Sequence, residues 1–385
     1  MKTDTPNGRK GPQADPFTDN ELLFGFDPAP GIVAVEFSPP NSVQIYTRSP
    51  ADGRTFRHRE TFMPFLWEQN GTGPNMVVYY FGSWRRFLEA AREPSRPQHA
   101  LLDPVQQYLT QSGRTLFRGM RFEDLRRMQL DIETSLSADY AFSNPERDPL
   151  LAITLSDSSG WEEIIVVEVG SPHAEPTAIK RLCSLIIERD PDVIEGHNIF
   201  KFDLPYLSAR ASKLGISLFM GRDGSLISVD SRPAKLPVGG GHYVEFPNYR
   251  IRGRHIVDTY LLAQSYDQAA RSFENFKLKD VARALGVAEK NRVLLAGGES
   301  IMHAYHNNRD AFCRYALADV RETRAVASLL SRSYFVQSQM FPYNYQSVIT
   351  RGAATKVDSL FLREYLRRGH PIPPPAQAGI HRRPL

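Results

Sequence analysis

Between residues 126 and 335 the apolar residues recur at two different periods, and the order of those periods leaves few folds open. Met128–Ile132, Leu150–Leu155 and Glu162–Val169 are β-like runs in quick succession, joined by short connections. Such spacing predicts an antiparallel meander. Thr177–Arg189 then places Ile179, Leu182, Cys183, Leu185 and Ile186 at helical spacing. A strand at Asp192–Glu195 follows, then a helix starting near Asp203, a strand at Ile256–Asp258 and a long helix from Asn308 to about Ser331.

Three strands, helix, strand, helix, strand, helix is the order of a ribonuclease-H-like α/β layer. The flanking residues have a different character. Residues 1–20 are polar and predict disorder, whereas residues 21–125 carry β-like runs such as Gly31–Phe37 and Met76–Phe81. Turn-forming stretches (Pro39–Asn41, Asn70–Pro74) separate these runs, and a helical patch follows at Trp84–Arg92, which predicts a small, mostly β domain. An insertion rich in Gly and Arg between Gly221 and Gly253 predicts a β-hairpin around Val238–Gly241. A last helix is expected over Ala354–Arg368, ahead of a Pro-rich tail at residues 371–385. At about 150 residues per domain, 385 residues suit two to three domains.

Bulk properties narrow the setting. A net charge of +4 and a pI of 8.9 are mildly basic and compatible with a polyanionic partner. No apolar run approaches the roughly 18–20 residues that span a bilayer, so no membrane partner is expected. The two cysteines, Cys183 and Cys313, offer neither a disulfide framework nor a zinc pattern, which points to a reducing, cytoplasmic interior.

Three short patterns carry chemistry. In Leu130-Asp131-Ile132-Glu133-Thr134, alternate strand residues share a face, so Asp131 and Glu133 project together, away from Met128, Leu130 and Ile132. Adjacent same-face carboxylates repel unless a cation lies between them, and their hard oxygens suit Mg²⁺ or Mn²⁺. A solvated strand face is the alternative. In the stretch Gly196–Leu207, Asp203 stands where a helix begins, with Pro205 in the first turn. An N-cap aspartate accounts for that, but not for Asn198 and Phe202, an amide suited to sugar or phosphate and an aromatic suited to stacking on a base. In Tyr315-Ala-Leu-Ala-Asp319 the phenol and carboxylate share one helix face, as in many amphipathic helices.

Taken in order, Asp-x-Glu on a strand, Asn-x-x-x-Phe-Asp, and Tyr-x-x-x-Asp resemble the tyrosine-bearing branch of the DEDD exonucleases. The phrases Gly113–Gly119, Asn275–Ala282 and Thr355–Leu366 extend the likeness to the amino-terminal and 3′→5′ proofreading exonuclease region of B-family DNA polymerases, over roughly residues 32–375. That resemblance implies two divalent cations, Mg²⁺ or Mn²⁺, held by Asp131, Glu133, Asp203 and Asp319. It implies that Tyr315 orients the attacking water, and that Thr134, Asn198 and Phe202 hold the terminal nucleotides of single-stranded DNA or a frayed 3′ end. The expected product is a 5′-mononucleotide. The family's polymerase segments (Asp-x-x-Ser-Leu-Tyr-Pro, Lys-x-x-x-Asn-Ser, Tyr-x-Asp-Thr-Asp) do not occur in the sequence, so no nucleotide incorporation is expected. Two other readings are a degenerate nucleic-acid-binding scaffold and the amino-terminal half of a split polymerase with a separate polymerase subunit as partner. In the family the segment equivalent to residues 336–370 returns to complete the amino-terminal domain, and the same is expected here. Asp258 is read as a helix N-cap. His303, His306 and Asp310 are read as solvated, and Arg126, Arg127, Arg250, Arg252 and Arg254 as either a phosphate-facing set or surface cations.

Overall fold

The alternation at residues 128–134 becomes the central strand of a five-stranded mixed sheet. The structure, a computed structural model, describes residues 20–69, 76–93, 98–239, 241–295, 297–370 and 372. The expectations for residues 1–19, the Asn70–Pro74 turn and nearly all of the Pro-rich tail lie outside the described residues.

A one-turn helix α1 (Glu21–Phe24) precedes the antiparallel strands β1 (Ile32–Ser38), β2 (Ser42–Arg48) and β3 (Thr55–Thr61). A second small sheet holds β4 (Phe65–Gln69), β5 (Met76–Tyr80) and β6 (Gln98–Ala100) in the order β5-β4-β6. Helix α2 (Trp84–Ala91) lies between β5 and β6 in sequence, and α3 (Pro104–Ser112) comes next. Asp103 caps α3, accepting from Val105 and Gln106 N–H with Pro104 in the first turn, where its missing N–H costs nothing.

The meander is β7 (Arg127–Thr134), β8 (Leu150–Asp157) and β9 (Glu162–Val166). After α4 (Ala174–Arg189), β10 (Val193–Gly196) runs parallel to β7, and α5 (Asp203–Lys213) follows. The insertion contributes β11 (Ser228–Val229), the hairpin β12 (Ala234–Pro237) and β13 (Tyr243–Phe246), and β14 (Tyr249–Arg250). Strand β15 (His255–Asp258) pairs in parallel with β10, giving the sheet order β15-β10-β7-β8-β9. This is the ribonuclease-H-like α/β fold. Four further helices, α6 (Thr259–Ala270), α7 (Leu278–Ala284), α8 (Gly298–Asn307) and α9 (Arg309–Leu330), complete the layer, and α10 (Arg332–Ser338), α11 (Tyr345–Thr350) and α12 (Ala353–Arg368) end the described chain.

Met128, Leu130 and Ile132 lie in one apolar core with Ile179, Leu182 and Ile186 of α4 and Leu204 and Leu207 of α5. On the opposite face α9 crosses β7 and β8, with Phe312 packed against Leu151 and Ala152. A second core joins Val33, Val35 and Ile45 of the first sheet to Val193, Val257, Val326 and Phe335, so the amino-terminal strands and the central sheet share buried surface. Helix α12 packs on α3 and α1. Its Leu362 meets Phe65 and Trp67, and the fully buried Arg363 guanidinium donates to the carbonyls of Leu22, Leu23 and Met340. Of the apolar residues of this helix, Val357 and Phe361 face outward, while Lys356 and Arg363 are buried.

The basic triplet differs from a continuous strand face. Only Arg250 lies in a strand, and each member has a carboxylate partner: Arg250 with Asp230, Arg252 with Asp223, Arg254 with Asp190. Arg127 is likewise buried against Glu195 at 3.2 Å, and Arg126 reaches Asp190 at 3.4 Å. Pairing leaves these cations little charge to offer a phosphate.

Candidate metal centre

The parallel strands β7, β10 and β15 end on the same edge of the sheet, the edge where open α/β sheets collect their ligands. Asp131 and Glu133 project from the last turn of the pleat in β7, opposite the core residues Leu130 and Ile132. The register with β8 slips between Glu133 and Thr134, where Glu133 faces Ala152 and Thr134 faces Leu150. Such a bulge bends the strand and re-aims its side chains. Above them α9 brings Tyr315 and Asp319, one turn apart on its buried face. One ligand oxygen each from Asp131, Glu133 and Asp319 lies within 4.8 Å of the other two.

Electrostatics sets this cluster apart. The Asp131 carboxyl is held well above the usual carboxylate range by burial and then by Asp319 and Glu133 beside it. Glu133 is raised in the same way, by burial and then by Asp319. Both shifts record like charges crowded into low dielectric, where a cation is the natural remedy. All three groups are hard oxygen donors, so the residues fit Mg²⁺ or Mn²⁺.

Asp203, the fourth expected ligand, is not in that close group. It opens α5, is buried, and its Oδ1 accepts from the Ile132 N–H at 3.2 Å. Burial pushes its carboxyl up to about 8, with Asp258 and Asp319 adding to the rise, so it stands next to the cluster. Asp258 is an N-cap: it accepts from Tyr260 N–H at 2.9 Å, and it also takes Asn198 N–H at 2.8 Å. That second bond stabilises the turn after β10, in which Asn198 adopts a left-handed φ of 66°, a conformation asparagine tolerates better than most residues. Phe202 is 36% exposed, and its ring lies 5.6 Å from that of Tyr206. The Tyr206 hydroxyl donates to the Asp148 carbonyl at 2.7 Å, so Phe202 and the 135–149 loop form one wall. His303 bonds Asn307 and Asp310 pairs with Arg314, with no cluster among them.

Four contributors escaped the sequence reading. Lys279 of α7 places Nζ 2.9 Å from the Tyr315 hydroxyl. Arg292 ion-pairs with Asp319 and, through its other arm, with Glu322. In the 135–149 loop, Asp148 gathers the Ser137 and Asn144 N–H groups and Arg147, whose guanidinium lies 3.5 Å over Tyr140. That scaffold presents Tyr140 and Phe142, 55% and 85% exposed. Two aromatics in a polar loop, six and eight residues past the end of the Asp-x-Glu strand, were a visible signal. Lys279 lies within the Asn275–Ala282 phrase that carried the likeness, though no role was read for it, and Arg292 had no signal because it lies in the connection between α7 and α8.

Residues 110–281 match the exonuclease domain of DNA polymerase family B. Those residues resemble a family B DNA polymerase exonuclease domain. DNA polymerase 1 of Pyrococcus abyssi is 33% identical over 223 residues, which take in 52% of this chain and 28% of the relative. The DNA polymerase of Archaeoglobus fulgidus is 27% identical over 260 residues, 67% of this chain and 29% of its own length. The chain therefore spans under a third of the curated relatives it matches. The family B DNA polymerase of the hyperthermophilic archaeon Pyrobaculum calidifontis shares its fold, with a TM-score of 0.66 and 20% identity over 88% of this chain and 50% of that one.

Proposed function

We propose that this protein is a metal-dependent 3′→5′ exodeoxyribonuclease that hydrolyses DNA from unpaired 3′ ends in the cytoplasm and releases 5′-mononucleotides. The observation that carries the proposal is the convergence of Asp131, Glu133 and Asp319 within 4.8 Å of one another at the carboxyl edge of the sheet, the first two inside the matched residues 110–281. Asp131, Glu133 and Asp319 are the donors, with Asp203 behind them. Two divalent ions bound there would generate the nucleophile at neutral pH and neutralise the charge that develops on the leaving oxygen.

The rest falls to the side chains. Burial and the neighbouring carboxylates push the Tyr315 phenol far above its usual range, so it stays protonated and cannot act as a base. Lys279 donates to the phenol oxygen, which leaves the phenol hydrogen free to point at a water or a phosphate oxygen. Tyr315 thus orients, and Lys279 orients Tyr315. Thr134, Asn198 and Phe202 line the approach, and the exposed Tyr140 and Phe142 offer faces on which unstacked bases lie. Because the terminal nucleotide must leave its helix to reach a buried cluster, single strands and mismatched ends are the preferred substrates. By itself the chain does not extend primers, since none of the three polymerase segments is in its sequence.

Digestion of a 3′-labelled single strand, a paired primer-template and a mismatched one, each with Mg²⁺ and with EDTA, tests the proposal. Mononucleotide release that needs the ion and runs fastest on single-stranded and mismatched ends is expected. Tight binding of the same substrates without ion-dependent cleavage would mean a scaffold instead.

A further inference from the structure

Asp319 has two claimants. It is one of the three clustered carboxylates, and its Oδ1 also accepts from the Arg292 guanidinium. A carboxylate oxygen engaged by a guanidinium is a poorer donor to a metal ion, because the two cations repel and share the same lone pairs. The other arm of Arg292 rests on Glu322, three residues further along α9. Glu322 is 1% exposed, receives the Glu289 N–H at 3.1 Å, and does not belong to the three-carboxylate cluster. Its part is therefore to hold Arg292 and the segment between α7 and α8.

The guanidinium is only 7% exposed at its side chain, and its Nε is buried without a hydrogen-bond partner. Arg48 and Arg127 have an unpartnered buried Nε as well, so what sets Arg292 apart is that one of its two carboxylates belongs to the three-acid cluster. An arginine with one firm anchor, one shared contact and one idle donor is suited to changing partners.

We propose that Arg292 is a tethered competitor for the divalent-cation site: it shares Asp319 with the incoming ion and, held by Glu322, yields that carboxylate without leaving the pocket. The inference rests on the assignment of Asp131, Glu133 and Asp319 as ligands. It makes the ion concentration at which the site fills a property of the Arg292–Glu322 pair, and it couples filling to the α7–α8 segment that carries Arg292. The two members of the pair act with opposite sign. Removing the Arg292 charge frees Asp319 and strengthens ion binding, whereas removing the Glu322 charge leaves Arg292 to Asp319 alone and weakens it.

Mn²⁺ binding to the full chain, followed by calorimetry and by the resonance of the free ion, reads this directly, without turnover. Arg292→Met is expected to bind Mn²⁺ several-fold more tightly than wild type, Glu322→Gln several-fold more weakly, and Arg292→Lys in between. An arginine that merely supports the fold predicts weakening in both charge-removing variants. The proposal is overturned if Arg292→Met binds no more tightly than wild type, or if Glu322→Gln binds no more weakly. Should Arg292→Met fail to fold, judged by circular dichroism, Arg292→Gln takes its place: it also removes the charge, tighter Mn²⁺ binding than wild type is expected, and binding no tighter overturns the proposal. Wild type that takes up no Mn²⁺ removes the ligand assignment itself, an outcome distinct from a wild type that binds and a variant that does not improve.

Discussion

Two clusters of charged side chains mark the two ends of β7, and they are built on opposite plans. At the start of the strand, Asp190 and Asp192 are interleaved with arginines from three parts of the chain. Asp192 meets Arg48 at 2.5 Å and Arg222 at 2.7 Å, and takes the Arg126 N–H at 3.0 Å. Asp190 meets Arg222 at 2.7 Å and Arg254 at 2.8 Å. Burial there favours the neutral acid, but Arg222 and Arg254 outweigh it and hold Asp190 below the usual carboxylate range. At the far end, burial raises Asp131 and Glu133, and the neighbouring carboxylates, Asp319 foremost, raise them further against the pull of Arg292. A chain that surrounds two aspartates with arginines at one end of a strand gathers three acids at the other, with only Arg292, among the described residues, paired to one of them. The first arrangement clasps the amino-terminal sheet to the central one; the second stores repulsion that a cation relieves.

The contrast is broken most decisively at the acidic end. Asp131→Ala combined with Glu133→Ala should lower mononucleotide release by at least roughly 10²–10³-fold. Thermal melting in EDTA should show a variant no less stable than wild type, since like-charge repulsion has been removed. A variant that cuts at the wild-type rate, or that unfolds, would undo the distinction. Asp192→Ala should do the converse. It strands buried guanidinium groups, at a cost of about 3–5 kcal/mol, measurable by urea unfolding, while the rate per folded molecule stays near wild type.

Tyr315→Phe removes one hydroxyl and no charge, so it should slow cleavage by about tenfold, as misorientation does, and by less than Asp319→Ala. Equal losses would mean the phenol does more than orient.

Lys356 sharpens the comparison with a third plan, a buried charge with no counter-charge. Its Nζ bonds Gln337 Oε1 at 2.6 Å, and among the described residues no carboxylate pairs with it. Burial brings its ammonium down to about 8. The folded state therefore releases this proton near pH 8, while the unfolded chain keeps it to about 10.4. The penalty is full below pH 8 and fades as pH rises towards 10.4, so wild-type stability should climb in that window. Lys356→Met should be more stable by ~1 kcal/mol below pH 8, after allowance for solvent near the ammonium, and the gain should shrink above it. A gain independent of pH would assign the effect to packing.

Much of the central layer was legible in the sequence because its signals are local. Met128, Leu130 and Ile132 alternate with the acids, α4 keeps its apolar period, and Gly239 and Gly241 take positive φ at the turn between β12 and β13. Helix α6 was announced only by its Asp258 cap, and α7 was not read as a helix. Helix α7 is short and has only Val281 and Ala282 inward. The bulge at Glu133, the pairing of Arg252 with Asp223 and the approach of Arg292 to Asp319 across 27 residues are tertiary facts, and no periodicity announces them. Spacing showed which acids share a face of β7 or α9, but the withdrawal of Asp203 to the Ile132 N–H depends on how α5 docks.

The bonds from Arg363 to the Leu22 and Leu23 carbonyls have a consequence for synthesis on the ribosome. Leu23 and Arg363 are 340 residues apart. At translation rates of about 5–20 residues per second, roughly 20–70 s separate the emergence of one from that of the other. During that interval the central sheet can form, but Phe65 and Trp67 still wait for Leu362 to cover them. The growing chain thus carries an uncovered aromatic surface at Phe65 and Trp67 until α12 is made, and there it is open to chaperone capture and to self-association.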